Sequence, residues 1–334
     1  MRAIVYEKYG STNVLQSLDI EKPMPKGNEI LIKIHATTVT PVDTTFRAGS
    51  MLMARLFTGL SKPKNTILGT ELSGVVEGVG HEVSRFKVGD KVFASPADGY
   101  GAHAEYICLS EDSAVEIMPT NMSFDEAASI CNGALTALPF LRDNGEIKPR
   151  QKVLINGAAG SIGTFAVQLA KHFGAEVTAV CSGVNVEFVT SLGADKVIDY
   201  TKQDFTKTGE TYDIIFDTVG KSTFSQSKSA LRENGIYMTT VISAGILLRM
   251  MFGKKKLGKR ALFAATGLRE APDQIRDMNF LKRLIEDGQL RTVIDRSYTF
   301  ENIAEAHAYV EKGHKKGNVV VTVVPAKPLA LAAE

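Results

Sequence analysis

The chain has 334 residues, a net charge of +2 and three cysteines. This length leaves room for two domains, and the near-neutral charge gives no reason to expect nucleic acid as a partner. The cysteines form no Cys-x-x-Cys pair, which favours a reducing compartment and argues against a disulfide framework. No apolar run approaches the ~20 residues of a membrane span. The N-terminus lacks the apolar core of a signal peptide, so the sequence predicts a cytoplasmic protein.

Up to about residue 124, short alternating stretches separated by Gly and Pro predict strands of an irregular barrel or sandwich. The predicted strands cover residues 29–36, 73–80, 90–94 and 103–109, besides the first residues of the chain. Residues 47–64 are less strand-like and predict a short helix or a mobile loop near a site. The period changes at Ser123, where a serine cap followed by two acids predicts the start of a helix.

The second half of the chain alternates strands with helices. A branched apolar run at 152–156 ends at Gly157-x-x-Gly160-x-x-Gly163, and a helical pattern follows at once. Further strands are predicted at 176–181, 196–199, 212–217 and 235–240, and helices at 186–192 and 222–231. This cadence predicts βαβ units and a parallel sheet. The tail departs from it, with predicted helices at 275–287 and 302–312 and a strand at 318–324.

The glycine cluster lies at the first βα turn of this predicted sheet. Unpaired N–H groups and the positive end of a helix dipole there would suit a pyrophosphate. The spacing is looser than Gly-x-Gly-x-x-Gly, so the motif alone also fits a tight turn in some other α/β protein. Its position at the first βα turn favours a dinucleotide site.

The end of the second strand of this sheet indicates which dinucleotide binds. An NAD site usually has an acid there that bonds the ribose hydroxyls. Here the strand leads into Ser182-Gly183-Val184-Asn185 and no acid appears before Glu187, which favours NADPH by removing a repulsion. Because no Arg or Lys lies in the loop, Ser182, Asn185 and Tyr200 are the candidate phosphate contacts. Tyr200 alternatively fits a half-buried aromatic at the end of a strand.

Several motifs, taken in order, resemble those of the zinc-free quinone oxidoreductase-like branch of the medium-chain dehydrogenase/reductase superfamily. They lie at residues 67–76, 86–92, 101–106, 157–163, 192–195 and 216–220. The resemblance implies an α/β fold in which a Rossmann doubly wound parallel sheet domain is inserted into a GroES-like β-barrel domain. The implied segments are 1–124 for the first part of the GroES-like catalytic domain, 125–270 for the Rossmann NADP-binding domain, and 271–334 for a connecting helix and the C-terminal return.

The resemblance also implies a homodimer and a cleft between the domains that holds NADPH. The positions it places near the cofactor are Thr136, Val219, Val241, Lys316, Gly317 and Asn318. They add to the residues of the glycine turn, Ala159, Gly160, Ser161, Ile162 and Gly163.

The metal ligands of the zinc-dependent alcohol dehydrogenases in this superfamily have no match here. Their Cys-x-x-Asp and Gly-His-Glu correspond to Thr40-Pro41-Val42-Asp43 and Gly69-Thr70-Glu71, and Cys131 is offset by one from the third ligand. A zinc site needs three protein ligands plus water, so the sequence predicts no metal. The histidines at 81, 103, 307 and 314 show no ligand spacing and are predicted to be surface or packing residues.

Without a Lewis acid, the reduction of a quinone or an α,β-unsaturated carbonyl needs the least charge stabilisation from the protein, because the negative charge spreads onto oxygen. The candidate catalytic residues are Thr40, Asp43 and Tyr100, which alternatively fit a turn cap, a structural carboxylate and an exposed loop aromatic. The sequence thus predicts an NADPH-dependent, zinc-independent reductase of a small-molecule quinone or enone.

Three alternatives remain from the sequence. The chain could be an NADPH-binding sensor or structural protein with little turnover, or a zinc-free alcohol dehydrogenase. The apolar-to-basic stretch 246–256 could contact an anionic membrane surface, although a loop or a subunit contact is favoured.

Overall fold

The computed structural model describes residues 1–50, 55, 58–96, 100–243, 245–246 and 258–324. The strands in these ranges are β1 Arg2–Val5, β2 Gln16–Asp19, β3 Glu29–Thr38, β4 Leu72–Val79, β5 Lys91–Ala94, β6 Tyr106–Ser110, β7 Val115–Ile117, β8 Lys152–Asn156, β9 Glu176–Cys181, β10 Lys196–Asp199, β11 Tyr212–Asp217, β12 Leu231–Thr239, β13 Arg260–Phe263, β14 Ile294–Thr299 and β15 Asn318–Thr322. The α-helices are α1 Pro41–Ala48, α2 Phe124–Ala128, α3 Cys131–Pro139, α4 Ser161–His172, α5 Val186–Ser191, α6 Phe224–Ser227, α7 Ala271–Glu286 and α8 Ile303–Glu311.

The first sheet joins the two ends of the chain. Its order is β14-β15-β3-β4-β5-β7, with β6 on β3, and all pairs are antiparallel except β14 with β15. Alternate residues Ile30, Ile32 and Ile34 of β3 are fully buried in its core, as the period of two in the sequence predicts. Because β15 pairs with β3, the C-terminal segment completes the sheet that the N-terminal segment begins.

The second sheet is parallel throughout, in the order β10-β9-β8-β11-β12-β13. Numbered from β8, this is 3-2-1-4-5-6, the order of a doubly wound dinucleotide-binding sheet. Both faces are covered: Val153 and Ile155 of β8 lie in one core cluster and Leu154 lies in the cluster on the other face. Burial on both faces explains why β8 reads as an unbroken apolar run. The strand order reverses between β8 and β11, where a crevice for a ligand is expected.

The start of α2 confirms the predicted cap. The Ser123 hydroxyl accepts a hydrogen bond from the Glu126 backbone N–H, and the Glu126 carboxylate accepts one from the Ser123 backbone N–H at 2.8 Å. Among the described residues, no helix is both long and apolar enough to cross a lipid bilayer.

Some predicted elements were wrong. The helix predicted at 222–231 is only α6 and a 3₁₀ turn at Lys228–Ala230, because β12 begins at Leu231, four residues before the predicted strand. Helix α1 and strand β13 were not predicted. Met51, Leu52, Met53, Leu56 and Phe57, and all but the first residue of the stretch 246–256, lie outside the described residues, so the predictions made there are untested.

Candidate active site

The glycine turn after β8 is shaped by three glycines in three different ways. Gly157 has a φ of 82°, and a side chain there would lie 2.5 Å from Val219 Cγ1. A β-carbon on Gly163 would lie 2.2 Å from the carbonyl oxygen of Gly157, so close helix–strand packing requires glycine. Gly160 differs, since a β-carbon there would meet only one atom, at 3.5 Å. The space over Gly160 is therefore left open by the protein itself.

That open space faces the N-terminus of α4. Gly160 is the N-cap residue and has an extended backbone, and no side chain caps the helix. Backbone N–H groups in the first turn of a helix, together with the helix dipole, form a site for an anion. The residues present thus fit a pyrophosphate at Gly160, Ser161, Ile162 and Gly163.

The C-terminal segment lies across the same turn. The Gly317 N–H donates to the Ala159 carbonyl at 2.8 Å, and Gly317 forms a β-bridge with Gly160. The Ser161 hydroxyl donates to Asn318 Oδ1 at 2.6 Å. Gly317 and Asn318 therefore contact the glycine turn directly, at the junction of the two sheets. Lys316 precedes this contact and is exposed to solvent.

Helix α3 forms a second wall beside the start of α4. A β-carbon on Gly133 would lie 2.7 Å from the Ser161 hydroxyl oxygen, so the two helices approach closely. Thr136, one turn further along α3, donates to the Asn132 carbonyl at 2.7 Å and lies 3.3 Å from the Thr266 hydroxyl. The structure therefore places Thr136 on the helix that flanks the turn.

Val219 and Val241 lie at the carboxyl edge of the parallel sheet, after β11 and β12. A β-carbon on Gly220 would be 2.7 Å from Val241, which shows how closely these two connections pack. Both valines are more than one-third exposed although they are apolar. Exposed apolar side chains at this edge could form one wall of a crevice, and a flat ring could pack against that wall.

The loop after β9 carries the candidate phosphate contacts. The Asn185 amide donates to the Ser182 hydroxyl at 3.1 Å, and Asn185 Oδ1 is buried without a hydrogen-bond partner among the described residues. Tyr200 is 58% exposed, so it is not the half-buried strand-end aromatic of the alternative interpretation.

The sequence analysis missed an acid that reaches this loop from the neighbouring strand. Asp199 pairs with Cys181 in the register of β10 and β9, and its carboxylate lies 2.6 Å from where a β-carbon on Gly183 would be. Its Oδ1 accepts hydrogen bonds from the Thr201 hydroxyl at 2.7 Å and the Thr201 N–H at 3.0 Å, which hold its pKa below the ordinary value. The loop thus contains no acidic residue of its own, but the carboxylate of Asp199 lies against it.

Thr40 and Asp43 form the capping box of α1. Asp43 Oδ2 accepts hydrogen bonds from the Thr40 N–H at 2.8 Å and the Thr40 hydroxyl at 2.6 Å, and Oδ1 accepts one from the Gly69 N–H at 3.0 Å. Asp43 is fully buried. These contacts fit the alternative interpretations, a turn cap for Thr40 and a structural carboxylate for Asp43. Tyr100, the third catalytic candidate, is half-buried, with its ring stacked on Phe46 at a centroid distance of 5.6 Å.

A titratable pair that the sequence analysis did not single out lies near the junction of the two sheets. Glu71 is fully buried and accepts hydrogen bonds from the Thr38 hydroxyl at 2.5 Å and the Asn132 N–H at 2.6 Å. Burial raises its pKa to about 7. The Lys315 ammonium donates to the Gly317 carbonyl, and desolvation lowers its pKa to about 8 although the Glu71 charge opposes this. Both groups can exchange protons near neutral pH.

Two of the three positions compared with zinc ligands, Thr40 and Cys131, have other partners or chemistry. The Thr40 hydroxyl donates to Asp43, and burial raises the pKa of the Cys131 thiol well above its ordinary value. Metal binding needs the thiolate, so this thiol is a poor ligand. Within the described ranges, no group of three or more His, Cys, Asp and Glu side chains is placed to hold a metal ion.

Comparison with known proteins matches both parts of the chain. Residues 26–119 match the alcohol dehydrogenase GroES-like domain, and residues 192–321 match the domain described as zinc-binding dehydrogenase. A chloroplastic quinone-oxidoreductase homolog of Spinacia oleracea is 33% identical, covering 96% of this chain and 98% of the relative. A chloroplastic NADPH-dependent alkenal/one oxidoreductase of Arabidopsis thaliana is 31% identical, covering 97% of this chain and 80% of the relative.

Solved structures agree with these relatives. The quinone oxidoreductase of Coxiella burnetii matches with a TM-score of 0.85 at 32% identity, over 97% of this chain and 99% of that one. The Escherichia coli quinone oxidoreductase complexed with NADPH matches with a TM-score of 0.82 at 26% identity, over 97% and 100%. The fold, the open glycine turn and these relatives together define an NAD(P)H-dependent oxidoreductase of a small molecule. The chain belongs to the medium-chain dehydrogenase/reductase superfamily, in its quinone oxidoreductase-like branch.

Proposed function

We propose that this enzyme is an NADPH-dependent, zinc-independent reductase of quinones and α,β-unsaturated carbonyls. The observation that carries the proposal is the open turn at Gly160, bounded by α3 on one side and by Gly317 and Asn318 on another. A pyrophosphate in this turn would direct the rest of the dinucleotide along the carboxyl edge of the sheet, where Val219 and Val241 would hold its nicotinamide half.

The chemistry divides between the cofactor and the chain. When bound, the nicotinamide supplies a hydride to the electrophilic carbon of the acceptor, and the electron pair displaced from the conjugated bond moves to the acceptor's oxygen. The chain positions the acceptor, and the oxygen takes a proton from water. The Lys315 ammonium, held beside the glycine turn by the Gly317 carbonyl, would add a positive charge on the pyrophosphate side of the cofactor.

Zinc independence is supported by what stands at the three ligand positions. Thr40 has its hydroxyl bonded to Asp43, the Thr70 hydroxyl is buried without a partner among the described residues, and Cys131 is a neutral thiol. A hydroxyl and a neutral thiol do not replace the thiolate and imidazole ligands of catalytic zinc.

The choice of NADPH over NADH rests on the loop after β9. The Ser182 hydroxyl, the Asn185 amide N–H and the exposed Tyr200 can donate to or cover a 2′-phosphate. The Asp199 carboxylate lies against Gly183 of this loop and opposes the choice, although the hydrogen bonds from Thr201 offset part of its charge. A relative named for NADPH and a solved structure with NADPH support the same choice.

We also keep the domain boundaries and the homodimer as proposals. Segments 1–124 and 271–334 would form the catalytic domain, supported by the pairing of β15 with β3. Segment 125–270 would form the NADP-binding domain, supported by the position of β8 to β13 within it. The edge strand β13 is where a second copy could extend the parallel sheet.

The direct test follows NADPH oxidation with a panel of quinones and enones, with and without a metal chelator. We expect turnover with several acceptors and no effect of the chelator. Tight NADPH binding without oxidation by any acceptor would identify a sensor or structural protein. Loss of activity with chelator and recovery with zinc would contradict zinc independence, and oxidation of simple alcohols as the dominant activity would indicate an alcohol dehydrogenase.

Substituting Gly160→Val tests the cofactor site itself. The fold tolerates a β-carbon there, but the side chain would occupy the space of the pyrophosphate, so we expect NADPH affinity to fall at least roughly tenfold, about 1.4 kcal/mol. Gly78→Val is the matched control, since a β-carbon on Gly78 has ordinary contacts of 3.7–3.8 Å in the other sheet. Calorimetric titration with NADPH measures both. Unchanged affinity in Gly160→Val would show that the site lies elsewhere.

A further inference from the structure

Unpartnered buried polar atoms concentrate in one place that the proposed reaction does not use. Ten buried side-chain atoms of the described residues lack a hydrogen-bond partner, and six of them belong to Tyr6, Arg47, His103 and His307. All four side chains are at most 1% exposed. Buried polar groups in folded proteins are nearly always bonded to protein or to ordered water, so these atoms require an explanation.

Three of the four residues, Arg47, His103 and His307, meet between α1 and α8. The rings of His103 and His307 meet edge to face at a centroid distance of 5.5 Å. Arg47 on α1 reaches α8 through a hydrogen bond from Nη2 to the Glu311 carboxylate, and the Arg47 charge lowers the pKa of His307, one turn before Glu311. Tyr6 follows β1, and burial raises its pKa, with a smaller contribution from the charge of Asp43, one turn before Arg47.

The hydrogen-bonding capacities of these groups do not balance among themselves. His103 Nε2 lies 2.9 Å from the Thr38 carbonyl, which can only accept, so Nε2 carries the hydrogen and Nδ1 is an acceptor. Burial lowers the pKa of both histidines, so each ring is neutral and His307 offers one donor and one acceptor. Arg47 Nε and Nη1 can only donate. The cluster is therefore short of acceptors.

We infer that the space between Arg47, His103 and His307 binds ordered water, at least one molecule. A water oxygen accepts from Arg47, and its hydrogens donate to His103 Nδ1 and the bare nitrogen of His307. An anion would also accept, but it cannot donate to the histidines. The charged groups nearest these side chains are Arg47, Asp43 and Glu311, whose sum is negative and repels an anion. This water joins α1 and α8 to the loop that carries His103.

A crystal structure of the full chain at roughly 1.5 Å resolution tests the site directly. We expect a water peak within about 2.7–3.2 Å of Arg47 Nε or Nη1 and of a His307 ring nitrogen. Direct side-chain pairing that fills the space, or a dry void, would overturn the inference. A bromide soak separates water from an anion, and an anomalous peak in the site would also overturn it.

A matched pair of variants extends the test to the ring that binds the water. His307→Leu should lose the peak beside the ring or leave it with less than half its occupancy, whereas His81→Leu, at an exposed position, should leave it unchanged. Should His307→Leu fail to fold, ¹⁵N spectra of the wild type serve instead. They should show a neutral His307 whose nitrogens shift as hydrogen-bonded from about pH 5 to 8, and shifts of unbonded nitrogens would contradict the water.

Discussion

Asp199 is the residue whose placement matters most for the choice of cofactor. It follows the second strand by 18 positions in sequence, yet its carboxylate lies against Gly183 because β10 pairs with β9 in register. Loop composition alone therefore cannot give the charge that a 2′-phosphate would meet. That charge depends on the strand register and on which donors hold the carboxylate.

Asp199→Asn separates the charge of this side chain from its hydrogen bonds. The amide oxygen still accepts from Thr201, but the negative charge beside the Ser182–Asn185 loop is lost. We expect the ratio of kcat/KM for NADPH to that for NADH to rise roughly three- to tenfold, an effect limited by solvent and salt screening. Steady-state kinetics with both cofactors measures it.

Asp204→Asn is the control for the Asp199 variant. Asp204 Oδ1 accepts from the Thr206 N–H at 2.9 Å and the Thr206 hydroxyl at 2.8 Å, the same local turn as Asp199 with Thr201. It is not part of the loop, so the ratio should stay constant. An equal change in both variants, or a lower ratio in Asp199→Asn, would contradict a role for the Asp199 charge.

Glu71 makes stability depend on pH in a defined direction. Burial raises its pKa from an ordinary value of 4.5 to about 7, so between these values the native state holds a proton that the unfolded chain has lost. Stability from this group is therefore lost as pH rises from about 4.5 to 7. Relative to Glu71→Gln, the wild type should lose on the order of 3 kcal/mol of unfolding free energy over this range.

Urea unfolding followed by circular dichroism at several pH values measures this difference, since the chain has no tryptophan. Glu77→Gln is the control of opposite sign. The Lys22 ammonium holds the pKa of Glu77 below its ordinary value, so Glu77 contributes stability that is lost as pH falls. Parallel pH profiles for wild type and Glu71→Gln would show that Glu71 is ionised in the fold.

At the level of elements, the sequence predicts what is local and misses what depends on partners. The glycine turn and the capped start of α2 are encoded within a few residues and were found. Helix α1 was not predicted, because its buried face carries Asp43 and Arg47, and charged residues in a sequence usually indicate an exposed surface. Strand β13 has only four residues and gains its identity from pairing with β12. Glu71 and Lys315 are 244 positions apart, and only the fold brings their charges together.

The N-cap of α1 offers a test of whether Thr40 is structural or catalytic. Thr40→Ala removes the hydroxyl that accepts from the Asp43 N–H and donates to the Asp43 carboxylate, and should lower the unfolding free energy by about 1–2 kcal/mol. Thr40→Ser keeps both bonds and should stay near wild type. We expect kcat to change less than about threefold in both. A large loss of kcat in Thr40→Ala at unchanged stability would return Thr40 to the catalytic candidates.

At the scale of the whole molecule, the C-terminal return decides where the site forms. Strand β15 completes the sheet of β3, and the residues just before and at its start contact Ala159 and Ser161 in the glycine turn. One segment therefore both closes the first sheet and lies across the glycine turn of the second. The proposed cofactor site lies where the two sheets meet, so an acceptor bound there would contact residues of both.

The free edge of the parallel sheet leads to an expectation about the oligomeric state. In the described part of the chain, β13 ends the parallel sheet, and an exposed strand edge can pair with a second copy. We expect light scattering after size-exclusion chromatography to give twice the mass of one chain. Neighbouring residues of a strand direct their N–H groups to opposite sides. Ala261→Pro and Leu262→Pro therefore remove N–H groups from opposite sides of β13. The variant that loses the N–H on the free edge should be a folded monomer, and the other variant loses a backbone hydrogen bond to β12. A wild-type monomer, or two folded dimeric variants, would exclude this edge as the interface.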